Sequence, residues 1–564
     1  MKRSRIVALP LCALLVFSGA VSAEPPKPSC VPPPFMTRAD IPGLGLAEVT
    51  SKAMEVHVYG DATFGKQCVT PETIFEAASL TKPVVAYLVM RLVERDVLAL
   101  EDPLAELLPT LPLPDADPRS KQVTVRMALA HMSGLSGPDD RTLDFSEDPG
   151  TTFRYYPAGY RLVQRIVEHL EGESLEVLAQ REVFEPLGMT SSTLVYRPEF
   201  ADRLATRHNV LGETIKKDRD PDLPPNAAAS LFTTTGDYGR FLQAMIQPKG
   251  LSEESVAAML EPQIQVDKTD ADVAWGIGWG LEPKRGTFFH WGDDGAAKCF
   301  TIGSRAADRA LVYFTNSFYG MSIAGEMSQR LFPGDSPAVK WLNYRTWDSP
   351  FRLARRDILL AFAREGADAG MSMFNDYQAR HEELDMSDLA RWLVWLLDIR
   401  GLHAGRIKLL EWRIERDPDN VDLYLNLAPS QTAAGNHVSA LETLRTARTK
   451  ADTSLHPFID GRLAWINGTV LAESNHREPL GFDNAVFIGS YGVRSIIDED
   501  GALVYQREDG PKLKLSWMHN TTFAVEDNDS FRVRFLIEDG QAKKIILFDS
   551  SGNSGESPRD EPTP

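Results

Sequence analysis

Cysteine is scarce in this sequence, with 4 in 564 residues. Cys12, Cys30, Cys68 and Cys299 are too scattered to match a metal-ligand spacing, so no metal site is implied. Also missing are H-E-x-x-H, P-loop and G-x-G-x-x-G patterns, and no cofactor of any kind is expected. The absence of a G-x-S-x-G elbow argues against an α/β-hydrolase. Positive charge is in deficit: 60 Lys and Arg stand against 79 Asp and Glu, a net of −19. So acidic a surface repels phosphate backbones, which argues against a nucleic-acid partner. No apolar run is long enough to span a bilayer, so no integral membrane segment is expected.

The start of the chain has the form of a signal peptide over residues 1–23. Lys2, Arg3 and Arg5 open it, residues 6–17 are largely apolar, and Val21-Ser22-Ala23 makes a small-residue cleavage site. Leu11 before Cys12 is not the small residue that a lipid-anchor site wants. Removing the segment takes the net charge from −19 to −22. The mature protein is therefore expected in the periplasm or outside the cell. In that oxidising setting two readings stay open: one bridge, with Cys30 and Cys68 as the natural pair, or three free thiols.

Residues 24–37 read as an extended, proline-rich leader. Met54, Val56 and Val58 alternate with polar neighbours, the period of a half-buried strand. Residues 84–93 are apolar on every side, which predicts a helix buried in the middle of a domain. Leu162, Val163, Ile166, Val167 and Leu170 give an amphipathic helix stopped by Gly172. Strand patterns return over 285–317, best at 310–314. Strands bracketing a helical middle predict an α+β domain over residues 38–340.

Beyond Trp341 the texture turns helical over 351–455. Asp417-Pro418-Asp419-Asn420, with Gly435 and Ala440-Leu441, resembles a degenerate tetratricopeptide repeat of one or two units. An irregular helical linker reads nearly as well, since an array needs several repeats. A protein partner could dock on such helices. Short strands with turn signals fill 478–549, a small β domain. Residues 550–564, rich in Ser, Gly, Asp, Glu and Pro, are expected to be disordered.

Ser79-Leu80-Thr81-Lys82 is the one S-x-x-K in the chain. Three residues apart on a helix share a face, so the amine of Lys82 can reach the hydroxyl of Ser79. A serine needs its proton removed before it attacks, and a lysine removes it once burial and positive potential lower its pKa. The apolar helix supplies the burial. Alone the spacing is weak, because a helix N-cap serine beside a solvated lysine reads the same.

Its surroundings carry more. Residues 72–82 (Glu-Thr-Ile-Phe-Glu-Ala-Ala-Ser-Leu-Thr-Lys) resemble the nucleophile segment of the serine β-lactamase and penicillin-binding-protein superfamily. The resemblance is strongest to its class C, D-Ala-D-Ala carboxypeptidase and esterase branch. It continues through Leu100-Glu101-Asp102-Pro103, Ala130-His131-Met132-Ser133-Gly134-Leu135, Pro186-Leu187-Gly188-Met189 and Thr233-Thr234-Thr235-Gly236-Asp237-Tyr238. In this context His131 reads as structural.

The resemblance implies further site residues. Tyr155 matches the tyrosine of the second element and is expected to share the base role, since Lys82 makes a tyrosinate cheaper. Pro157 stands where the family often has asparagine; the missing amide weakens the case for β-lactam turnover. His290-Trp291-Gly292 stands in place of Lys-Thr-Gly. His290 is expected to donate to a substrate carboxylate or to Tyr155, and Gly292 to let substrate approach the strand. The N–H groups of Ser79 and Asp293 would form the oxyanion hole. The expected activity is hydrolysis of small esters, amides or D-amino-acid peptides through an acyl-enzyme. A β-lactamase or D-Ala-D-Ala carboxypeptidase is the nearest alternative, and a non-catalytic binding module on the same fold is another.

Overall fold

The alternation around Met54 is realised as one of two long antiparallel strands, β1 (Gly43–Val49) and β2 (Met54–Thr63). A computed structural model of the protein describes residues 30–114, 117–137, 142–216, 219–266, 272–473, 481–526 and 528–560. The expected signal peptide and residues 24–29 of the leader lie outside them, and the end of the leader is not extended as expected, since Pro34–Arg38 forms a short helix with proline at its start. The chain divides after Asp348 into two compact units. No helix among the described residues is long and apolar enough to cross a membrane.

In the first unit β1 and β2 join an antiparallel sheet of nine strands among the described residues. The all-apolar stretch forms α1 (Thr81–Glu94), of which only Arg91, Val93 and Glu94 escape full burial. Such a helix has no wet face because it runs through the middle of the unit. The amphipathic pattern forms α2 (Ala158–Glu171), closed by Gly172 at φ 69°, a left-handed cap that glycine adopts without strain. A third helix, α3 (Thr235–Ile246), lies against the sheet. The sheet is completed by β3 (Gly280–Glu282), β4 (Thr287–Asp293), β5 (Lys298–Ser304) and β6 (Arg309–Thr315). They lie in the order β3-β4-β5-β6-β1-β2, with Ala274–Trp275 beside β3. Cys30 and Cys68 form a disulfide and Cys299 is a buried thiol, which decides between the two readings of the cysteines.

The second unit begins with seven helices, α4 (Pro350–Arg364), α5 (Ala367–Arg380), α6 (Met386–Ile399), α7 (His403–Ile414), α8 (Val421–Ala433), α9 (His437–Lys450) and α10 (His456–Glu473). The helical segment thus runs beyond the expected residue 455, because Pro457 sits in the first turn of α10, where no N–H is needed. Pro429 inside α8 cannot donate to the carbonyl of Leu425, and the guanidinium of Arg462 does so at 2.9 Å.

Eight strands follow, each beside its neighbour in sequence, from Gly489–Tyr491 to Ser554–Pro558. The helical segment and the small β domain follow one another as expected, and Ile459, Trp465 and Ile466 of α10 share a core with Phe548 of the sheet. One expectation is corrected here. Residues 554–558 are a strand, not a disordered tail: Ser554–Pro558 pairs with Gln541–Phe548. A strand is held by its backbone, so polar composition does not forbid it. Ser557 accepts from Arg494 at 2.6 Å, and the N–H of Asp560 reaches the carbonyl of Ser490 in the first strand at 2.9 Å.

Candidate active site

The chain enters the site along Ile74–Glu76, paired with Phe232–Thr234, and turns through Ala78–Leu80 into α1. Ala78 holds φ 45°, a left-handed conformation unusual without glycine. Thr81 pins it there, donating to the carbonyl of Ala78 at 2.6 Å and accepting from the N–H of Leu231 at 2.9 Å. Ser79, half-buried in this turn, faces Lys82 one turn on: Nζ lies 2.9 Å from Oγ.

Lys82 is 1% exposed, and its amine donates to the carbonyl of Ala228 at 2.8 Å. Burial, with the charge of Arg161 added, brings its pKa from 10.5 down to about 7. A neutral amine that spends one N–H on Ala228 keeps its lone pair for the Ser79 hydroxyl. The segment carrying Ala228 is fixed by Gln164 of α2, which accepts from Ala227 N and donates to Pro225 O, both at 2.9 Å. Neither Ala228 nor Gln164 stands out in the sequence; a backbone carbonyl carries no letter.

Tyr155 comes to the same place, its ring 5.0 Å from the Lys82 amine. Its hydroxyl is buried without a hydrogen-bond partner. Burial raises its pKa, and the Ser79 hydroxyl opposes that rise without reversing it. Burial thus works against a tyrosinate here and favours the protonated phenol. Tyr160 is a packing residue, donating to Leu129 O at 2.9 Å.

His290 also lies beside Lys82. It is 0% exposed, its Nδ1 lies 2.8 Å from the carbonyl of Trp291, and its pKa falls to about 3, from burial first and the Lys82 charge second. A neutral, enclosed imidazole cannot meet a carboxylate with charge. Trp275, Tyr155 and Trp291 pack around it at 5.5, 6.2 and 5.3 Å between ring centroids. His131, read from sequence as structural, joins this cluster, its ring 4.4 Å from that of Tyr155.

Gly292 is closely packed. A Cβ there would stand 2.3 Å from the carbonyl of Ala77 and 2.5 Å from Cys299 Sγ. Its small size lets β4 lie against the turn that carries Ser79. Strand β3 pairs only with Thr287 to Phe289, so His290 to Asp293 extend past it, next to that turn. Burial pushes the Asp293 carboxyl up, but Lys298 Nζ at 2.5 Å and Tyr344 at 2.5 Å hold it below its ordinary range. No group of His, Cys, Asp and Glu that could hold a metal ion occurs among the described residues.

This mixed domain of helices on an antiparallel sheet has the fold of the β-lactamase and transpeptidase superfamily, and the β-lactamase family model matches residues 33–332. The chain belongs to the β-lactamase family. Penicillin-binding protein 4 of Amycolatopsis lactamdurans is 31% identical over 262 residues, covering 41% of this chain and 68% of that protein. Esterase EstB of Burkholderia gladioli is 26% identical over 315 residues, 44% of this chain and 79% of that protein. Unguisins hydrolase ungD of Aspergillus violaceofuscus is 26% identical over 248 residues, 38% of this chain and 43% of its own length.

Proposed function

We propose that this protein is a serine hydrolase acting through a covalent acyl-enzyme on small, uncharged esters. The neutral amine of Lys82 takes the proton of Ser79 as Oγ bonds to the substrate carbonyl carbon. The N–H groups of Ser79 and Asp293 receive the oxyanion. As the carbonyl re-forms, the bond to the leaving alkoxide breaks, and the proton held on Lys82 passes to it by way of the Tyr155 phenol. Water, deprotonated by the same amine, then attacks the acyl-enzyme and releases the acid and Ser79.

The observation that carries this reading is the 2.9 Å approach of a buried amine, with pKa about 7, to a half-exposed hydroxyl. Neutral esters are favoured over peptides ending in a carboxylate because His290 offers no charge and Trp291 and Phe153 add aromatic surface beside Tyr155 and Trp275. Pro157 in place of a side-chain amide weighs against β-lactams. The Cys30–Cys68 bridge supports an oxidising, exported setting. The test is labelling by an active-site phosphonate, which Ser79→Ala is expected to abolish; labelling that persists at this site refutes the assignment. Short acyl esters, D-amino-acid peptides and a chromogenic cephalosporin assayed together are expected to rank with the esters first.

A further inference from the structure

His131 holds the chain on both sides of Tyr155. Its carbonyl oxygen accepts the N–H of Arg154 at 2.8 Å, and its Nδ1 accepts the N–H of Tyr156 at 3.1 Å. Between these two bonds its ring lies against that of Tyr155, 4.4 Å between centroids and inclined by 37°. The two amides flanking the phenol and the phenol's own ring are thus all set by one residue.

The residue doing this is itself tightly determined. His131 is 2% exposed and holds φ 57°, a left-handed conformation that a non-glycine residue keeps only when its surroundings impose it. The imposition is visible on either side: Met132 N donates to Met127 O at 2.9 Å, and Gly150 N donates to Met132 O at 2.7 Å. Phe153 and Trp275 close on the ring at 6.0 and 5.5 Å. The bond from Tyr156 requires a bare lone pair on Nδ1, so the neutral ring carries its proton on Nε2. Burial, helped by Lys82 and His290, keeps the ring uncharged well below its ordinary pKa. A neutral clamp suits this place, since a second cation here would oppose the transient protonation of Lys82 when it takes the serine proton.

We propose that His131 is a positioning residue for the reaction, acting through Tyr155: the acceptor at Nδ1 fixes the backbone of residues 154–156 and so the phenol. This rests on the reading of Tyr155 as the group that passes the proton beside Ser79. Polar groups must be held to within a fraction of an ångström for efficient proton transfer, and a displacement of about 1 Å reduces turnover roughly 100-fold.

The experiment is steady-state ester hydrolysis by the full chain carrying His131→Asn or His131→Leu. The two replacements have nearly the same shape, but only Asn puts an acceptor where Nδ1 stands, and Asn tolerates the left-handed backbone. His131→Asn is expected to keep kcat within about threefold of the parent, and His131→Leu to lower it roughly 10- to 100-fold with KM changed less than about twofold. In a Tyr155→Phe background the Leu change is expected to alter kcat by less than about twofold, because its target is already gone. Equal losses for Asn and Leu, or a Leu effect undiminished beside Tyr155→Phe, overturn the proposal. Should His131→Leu not fold, His131→Gln, whose oxygen lies one bond too far out, takes its place with the same expected loss. If Tyr155→Phe alone leaves kcat unchanged, the catalytic reading of Tyr155 falls and this proposal with it. If Ser79→Ala leaves turnover intact, the hydrolase assignment fails separately.

Discussion

In the proposed reaction, a lysine amine that gives up its proton near neutrality decides the pH at which Ser79 can be activated. Lys82 has a pKa of about 7, and only its unprotonated form can accept the serine proton. Esterase activity, as kcat/KM, is therefore expected to fall about tenfold per unit below pH 7 and to level off above it. The groups facing the amine are Arg161, Tyr155, His131 and His290, and of these only Arg161 adds charge near neutrality. Arg161→Gln removes a like charge, so the inflection is expected to move to higher pH; a profile that stays put dissociates Arg161 from the amine. At this scale the serine–lysine pair was legible, because a spacing of three on a helix needs no tertiary information. The protonation states of Tyr155 and His290 were not, because burial by Trp275 and Trp291 comes from distant parts of the chain. The part His131 plays was not legible either, since its donor–acceptor geometry to residues 154 and 156 exists only in three dimensions.

Strand β4 shows how an element can shape a site through what it leaves out. Gly292 faces the carbonyl of Ala77, and the missing side chain is what brings β4 up to the serine turn. Gly292→Ala would put a methyl within 2.3 Å of that oxygen, so strand or turn must move. The expected result is a loss of about 1 to 3 kcal/mol in unfolding free energy by denaturant titration. Phosphonate labelling is expected to slow more than tenfold, since the displaced turn carries the nucleophile. Normal labelling in a folded variant would mean the contact is dispensable. The elements themselves were readable wherever the pattern was long: α1, α2, β2 and β6 follow from apolar runs and periods. The direction in which Gly292 points was not, because a glycine says that space is tight without saying against what.

Over the whole molecule, two neutral histidines buried in the first unit make the fold sensitive to acid. An unfolded histidine takes up a proton near pH 6.5, whereas folded His290 resists until about 3 and His131 is lowered in the same direction. Between those values the unfolded chain binds more protons, so stability falls as pH drops. The slope is at most about 1.4 kcal/mol per pH unit for each group. Denaturant titrations from pH 6 to 5 are expected to lose roughly 1 to 3 kcal/mol, and His290→Gln, neutral throughout, to reduce that loss by about 1 kcal/mol. Stability that is flat across this interval would contradict the neutral assignment. At this scale the boundary near residue 348 was legible in the change of texture after Trp341. The core that the helices share with the sheet beyond it was not, because Trp465 and Phe548 meet across a long stretch of sequence.

The pairing of the last strand with Gln541–Phe548, and the reach of Asp560 back to Ser490, also set an order of events during synthesis. Everything needed for the serine-bearing unit has left the ribosome by Asp348, so it can fold while the rest is still being made. The second unit has no such head start. Its helices wait for Phe548 and its first strand waits for Asp560, so its core and sheet are completed only after both have been made.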